Sequence, residues 1–299
     1  MEALPFKPER HSKRKKAGSI PAKCSINMKT TLAKREFKDR LGQANHFLIT
    51  SLIGLDGIES GKISEKPSSF STSWNPKNVI RSAERSRIFL LKSFLGWAVE
   101  SLEMYLTELN RKPKLLESEK FTELYSKAGR SIYLKTILIG DELKIDPVLV
   151  GLMEVLITWR NYTFHYDVDN TIRDSSFEVL LNEEKRISTE FCGLEVVQLK
   201  KTWETGGDFT FKETASLINA TQKFVSAIDT YILNNLNFEQ YYSEILIEHF
   251  DKNSNSKQKY LTSQGMEKFI LVLLQNIAGV TEVKNIQQVL SLVKNHYRK

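Results

Sequence analysis

A chain of 299 residues with 41% hydrophobic content and sixteen Phe has the apolar mass for one large or two small domains, which excludes a disordered polypeptide. Two cysteines, Cys24 and Cys192, are too few and too far apart for a disulfide scaffold or a paired-cysteine zinc site, and they read as reduced thiols of a cytoplasmic protein. The net charge of +7 is unevenly placed, because twelve Lys or Arg against four Asp or Glu fall within residues 1–40 and the remainder is close to neutral.

Residues 1–28, Lys-rich with Pro5, Pro8 and Pro21, are expected to be a disordered basic arm. Its densest part, Lys13-Arg14-Lys15-Lys16, suits a nucleic-acid backbone through counterion release. A solvated tail that aids solubility fits the same composition. The arm has no apolar stretch behind it, so it does not read as a secretory signal. No apolar run approaches the roughly 18 residues of a membrane span, so no membrane partner is expected.

A first helix is predicted over about Thr31 to Leu55, basic early and apolar late at Phe47, Leu48, Leu52 and Leu55. The Gly-, Pro- and Ser-containing stretch 56–76 predicts a loop and a domain boundary. The clearest helix follows, with Asn75 as N-cap and Pro76 as first helical residue. Its apolar positions Leu91, Phe94, Leu95, Ala98, Leu102, Tyr105, Leu106 and Leu109 recur at three and four until Lys112-Pro113, about 33 residues that suit the spine of a bundle.

One or two shorter helices are expected over 117–139. Asp146-Pro147 then caps a helix with the stripe Leu149, Leu152, Met153, Leu156 and Trp159, which fades through Tyr162-Thr163-Phe164-His165-Tyr166 into a polar loop. Residues 175–204 read as weakly patterned helix. Thr210 with Glu213 matches a capping box ahead of a helix carrying Leu217, Phe224 and Ile228. The last helical part, 239–297, breaks near 251–256 and Gly279, and its stripe Phe269, Leu273, Ile277 and Val280 is expected to close its own bundle. Trp97, Trp159 and the many Phe, at helical spacing, read as core. With no sustained period-two alternation, the fold class is all-α. The expected organisation is the arm at 1–28, a helix and linker at 29–74, a helical domain at 75–236 and a helical extension at 237–299.

The sequence has no Gly-rich phosphate loop, no His-Glu-x-x-His and no Gly-x-Ser-x-Gly elbow, so neither a cofactor nor a metal is expected. What remains is Arg160-Asn161-Tyr162-Thr163-Phe164-His165, an arginine followed after four residues by histidine. Thirteen Arg and five His produce roughly 0.65 matches to an Arg-x4–6-His pattern by chance alone. A second match exists, Arg40 to His46. Context separates the two. Arg160 ends a capped apolar helix, has Asn161 beside it and precedes a polar loop, whereas Arg40 sits in a charged stretch before Leu41-Gly42.

In that setting the segment resembles the HEPN superfamily, helical bundles with an Arg-x4–6-His motif at a helix end and often Asn after the Arg. The resemblance covers roughly Asn75 to Leu236. It implies a HEPN-like bundle and a metal-independent endoribonuclease of toxin or anti-phage (abortive infection) systems. It further implies a homodimer whose composite cleft joins two motifs, with Arg160, His165 and Asn161 as catalytic residues. A carboxylate from the long helix supports such sites, which points to Glu100 or Glu103; a solvated helix face explains those two equally well. The branch paired with a nucleotidyltransferase antitoxin tends to read Arg-x4-His-x-Tyr. Here Asp167 holds that last position and the tyrosine is Tyr166, a departure from that branch.

The residue types suit the chemistry. RNA carries its own nucleophile, the 2′-hydroxyl, so cleavage needs a base, an acid and charge stabilisation at phosphorus. Histidine moves protons near neutral pH, and arginine offers a permanently charged fork to two phosphate oxygens. Five residues of regular helix turn about 500°, which leaves the two side chains about 140° apart, so they converge only where the helix ends or loosens between them. Two other functions fit the same residues: a non-catalytic RNA-binding scaffold that uses the arm, and a toxin partner silenced by nucleotidylation near Tyr166.

Overall fold

The computed structural model describes residues 30–63, 65–66, 68–73, 76–165, 171–262, 266–278 and 286–297, and every regular element among them is helical. Lys13, Arg14, Lys15, Lys16 and Tyr166 lie outside the described residues.

Helix α1 (Leu32–Glu59) starts where expected. Thr31 is its N-cap, with the hydroxyl accepting from Lys34 N–H, and the helix runs on through Gly57 into the stretch expected as loop. Its N-terminus is seated by Asp229, a fully buried carboxylate that accepts from the Thr31 hydroxyl at 2.5 Å and from the Lys34 ammonium at 3.5 Å.

Helix α2 (Val79–Leu109) is the predicted spine, and its cap is Asn78. The Asn78 side chain accepts from Arg81 N–H at 2.9 Å. Asn75, the expected cap, lies outside the described residues, and Pro76 stands ahead of the helix rather than in its first turn.

Helices α1 and α2 lie antiparallel. Arg87 is paired with Asp56 and Glu59, the Trp97 indole donates to the Arg40 carbonyl, and Phe37 packs on Tyr105 with ring centroids 6.1 Å apart. The loop between them therefore joins two helices of one core.

The remaining helices of that core are α3 (Glu119–Ala128), α4 (Ile132–Glu142), α5 (Pro147–Phe164), α6 (Asp174–Asn182), α7 (Glu184–Glu190), α8 (Val196–Glu204) and α9 (Phe211–Asn235). The weakly patterned stretch 175–204 is thus three short helices. The capping box at Thr210 and Glu213 is formed as its sequence predicts.

Helix α5 is the buried axis of the bundle. All its residues from Val148 to Arg160 are buried, including Glu154, so the stripe expected from Leu149 to Trp159 is a helix apolar nearly all round. Small residues let its neighbours approach. A side chain at Gly140 or Gly151 would meet Val150 at 2.8 Å or Leu180 at 3.2 Å.

Helices α10 (Phe238–Lys252), α11 (Ser254–Thr262), α12 (Met266–Ala278) and α13 (Ile286–Tyr297) follow. Tyr242, Leu246, Phe250, Ile270, Leu274, Val289 and Val293 form a second core there, separate from the first, with Phe269 and Leu273 packed against it. Tyr241 touches both cores. Val280 and the side chain of Ile277 fall outside the described residues.

Candidate active site

Helix α5 begins as its sequence predicts, with the Asp146 side chain accepting from Val148 N–H and Pro147 in the first turn. It ends differently. Tyr162, Thr163 and Phe164 remain helical, and the helix stops only at His165, whose backbone turns extended (φ −122°, ψ 125°). The His165 N–H still bonds the Asn161 carbonyl at 2.9 Å. The imidazole thus sits at the last hydrogen-bonded position while the chain beyond it leaves the helix.

That ending brings the pair together. Arg160 Nη1 lies 3.0 Å from His165 Nε2. Arg160 Nη2 lies 3.2 Å from Glu100 Oε1 on α2. A guanidinium only donates, so in this contact the imidazole nitrogen facing it is the acceptor. Arg160 is 8% exposed, His165 and Glu100 are exposed, and the pair opens to solvent on the imidazole and carboxylate side. Among the described residues, the buried Arg160 Nε has no partner. A structural arginine at a helix C-terminus would donate to the last carbonyls, whereas Arg160 points its Nη groups at a base and an acid.

Asn161, half-buried, follows on the helix and supplies the carbonyl that holds His165. Glu103, one turn beyond Glu100 and half-buried, takes no part in the Arg160 pairing. Of the two carboxylates predicted from the long helix, the structure brings Glu100 alone to the arginine.

The competing match does not assemble. Arg40 and His46 lie on uninterrupted α1, where six residues turn about 600° and leave them about 120° apart, with no helix end to bring them together. The Arg40 guanidinium sits 5.0 Å over the Trp97 ring, and the exposed His46 ring lies beside Phe47. Trp97 itself corrects an expectation: it is 44% exposed rather than core. A 31-residue helix presents more apolar surface than its neighbours cover, and here a cation covers one face of the indole.

Several further residues position the site. Gly96 on α2 faces the Phe164 ring, 3.0 Å from where a Cβ would stand, so α2 makes room for the residue before His165. Gly206 has φ +63° and lies 2.9 Å, by the same measure, from the Tyr162 hydroxyl. The Trp159 indole donates to the Gly207 carbonyl at 3.3 Å and stacks on Phe209 with centroids 4.7 Å apart. Lys92 on α2 pairs with Asp208 at 2.5 Å. The 205–210 turn therefore clamps the end of α5 against α2.

Glu154 is the other missed residue, and its signal was present. Besides Arg160 it is the one charged residue in α5. Fully buried, it accepts from Arg173 at 2.6 and 2.9 Å, from the Ser176 hydroxyl at 2.6 Å and from the Tyr133 hydroxyl at 3.1 Å. Burial, with Glu154 beside it, pushes the Tyr133 phenol up to about 12. Arg173 heads α6 and also pairs with Asp141 at 3.2 Å. This network ties the chain downstream of His165 back onto α5.

Among the described residues no group of three or more His, Cys, Asp or Glu stands close enough together to hold a metal ion. Nor is any helix among them long and apolar enough to cross a membrane. Compared with protein-family models, curated proteins and solved structures, the chain shows no significant match to any of them.

Proposed function

We propose that this protein is a metal-independent RNA endonuclease of HEPN type, acting as a bacterial toxin or anti-phage abortive-infection effector. The observation that carries the reading is the contact of a buried guanidinium with an exposed imidazole, 3.0 Å apart at a helix end. A permanent cation and a proton carrier at one solvent-facing point are what phosphodiester cleavage by an internal nucleophile needs.

In the resting protein the His165 Nε2 lone pair is occupied by Arg160. A phosphate at the cleft competes for the Arg160 Nη edge, because a charge-assisted bond to phosphate is stronger than one to a neutral ring. Turning Nη1 to phosphate frees Nε2 to take the proton of the adjacent 2′-hydroxyl. The 2′-oxygen then bonds phosphorus, the bond to the 5′-oxygen breaks, and that oxygen takes a proton. The products are a 2′,3′-cyclic phosphate and a 5′-hydroxyl. Glu100 holds the guanidinium in plane from the other side, and Asn161 sets the height of His165 on the helix.

One motif supplies one imidazole, so the proton for the leaving oxygen comes from the imidazole of a second copy in a homodimer with a composite cleft. An antitoxin or defence-system protein is the partner expected to hold this activity in check. The test is to incubate full-length wild type and His165→Ala with total RNA and map the new ends. Cyclic-phosphate termini from the wild type, insensitive to chelator and lost in His165→Ala, support the reading. Equal cleavage by both ends it.

A further inference from the structure

Helix α2 is longer than the elements that cover it. Along one face, residues 81, 85, 89, 92, 96 and 100 follow one another at steps of three and four. The last three are engaged: Lys92 pairs with Asp208, Gly96 receives the Phe164 ring, and Glu100 pairs with Arg160. Toward the start of the helix the same face is open. Arg81 and Arg85 are exposed, and among the described residues neither has a carboxylate partner. Arg87, which faces α1, is instead held by both Asp56 and Glu59.

With Lys77, the two open arginines line a polar groove of about 640 Å³. Phe89 stands at its inner end, 67% exposed, and Phe164 follows two turns further on, 50% exposed. Cations and bare aromatic rings thus lie in one row that ends at Arg160 and His165.

We infer that this face of α2 is a track for single-stranded RNA. Arg81 and Arg85, about 6 Å apart along the helix axis, take successive backbone phosphates. Phe89 and the Phe164 ring on Gly96, about 10 Å apart along the axis, take unpaired bases by stacking. Every base has a face to offer an aromatic ring, so the track is tolerant of sequence. A duplex hides those faces inside its own stack and gains only the arginine contacts. That the strand is cut where the track ends rests on the ribonuclease reading above; the binding does not.

The test uses the full chain carrying His165→Ala, so that RNA survives, with a fluorescein-labelled 12-nucleotide polyuridine followed by anisotropy across a salt series. Adding Arg81→Gln and Arg85→Gln should weaken binding at least tenfold at low salt. It should also reduce the magnitude of the log–log salt slope by about 1.4, at roughly 0.7 per lost phosphate contact. Adding Phe89→Ala should weaken binding about tenfold with the slope unchanged. The same RNA annealed to its complement should bind less well and ignore Phe89→Ala. These are surface substitutions, and equal melting temperatures confirm that the fold is intact. Variants that bind like the parent with an unaltered slope, or a duplex as sensitive to Phe89→Ala as the single strand, overturn the track. If the variants lose binding as stated but the wild type leaves RNA uncut, the track stands and the ribonuclease reading falls. If the wild type cuts RNA, and the track substitutions leave binding unchanged in the His165→Ala chain and cutting unchanged when placed in the wild type, the reverse holds.

Discussion

The molecule carries an arginine followed by a histidine at similar spacing twice, along α1 at Arg40 and His46 and at the end of α5 at Arg160 and His165. Along α1 the helix continues past both residues, and each side chain finds a neighbour on its own side. At the end of α5 the helix stops at the histidine, and the two side chains meet at 3.0 Å. Spacing is therefore an incomplete description of such a pair. What decides is where the backbone stops being helical, and three devices hold that stop in α5: Gly96 under Phe164, the 205–210 turn around Tyr162 and Trp159, and the Glu154–Arg173 tie downstream. No comparable stop interrupts α1.

The sharpest way to test the contrast is to remove one member of each pair. His165→Ala and Arg160→Ala should each lower the single-turnover RNA cleavage rate by about 10²–10⁴-fold. His46→Ala, on the exposed side of α1, should leave it within about twofold of wild type. A large loss in His46→Ala would break the comparison.

The downstream tie comes next. Glu154→Ala removes a fully buried carboxylate and strands part of the Arg173 guanidinium. Losing one partner of a buried pair costs about 3–5 kcal/mol. Arg173 is partly exposed and keeps Asp141, so the lower end applies, about 3 kcal/mol, read as a melting temperature lower by several degrees. Cleavage should fall with it, since His165 is then held from one side only. An unchanged melting temperature would deny Glu154 this anchoring role.

A smaller change tests the cradle under Phe164. Gly96→Ala places a methyl 3.0 Å from the ring, tighter than ordinary contact, and the ring must give by a few tenths of an ångström. Alanine also favours the helix by about 1 kcal/mol over glycine, so the melting temperature should hold. Cleavage should drop roughly tenfold, because His165 moves with Phe164 and small misplacements of a proton carrier are costly. Full activity would show that the histidine does not depend on this seat.

The smallest effect is expected from the two carboxylates on α2. Glu100→Gln keeps a hydrogen-bond acceptor for Arg160 but removes the charge, and cleavage should fall about threefold to tenfold, with Arg160 less well held in plane. Glu103→Gln, outside that pairing, should change cleavage by less than about twofold. Equal effects at both positions would remove the distinction drawn here between them.

Much of this was readable from residues taken in order. The all-helical class, the start of α1 at Thr31, the start of α5 at Asp146 and Pro147, and the capping box at Thr210 and Glu213 follow from local rules, because a cap needs only a side chain and an N–H within three residues of it. The Arg160 and His165 motif was visible for the same reason, and its need for a helix end followed from 100° per residue. The tertiary structure decided the rest. It made Asn78 the cap of α2, chose Glu100 over Glu103, brought the α5 pair into contact, and left Trp97 solvent-exposed where its helical spacing suggested core. Each of those outcomes depends on which groups from distant parts of the chain arrive at one place: Gly96 from α2, Gly206 from the turn before α9 and Arg173 from the head of α6. A sequence encodes its own helical period locally, but where a helix stops is settled by the atoms packed against its end.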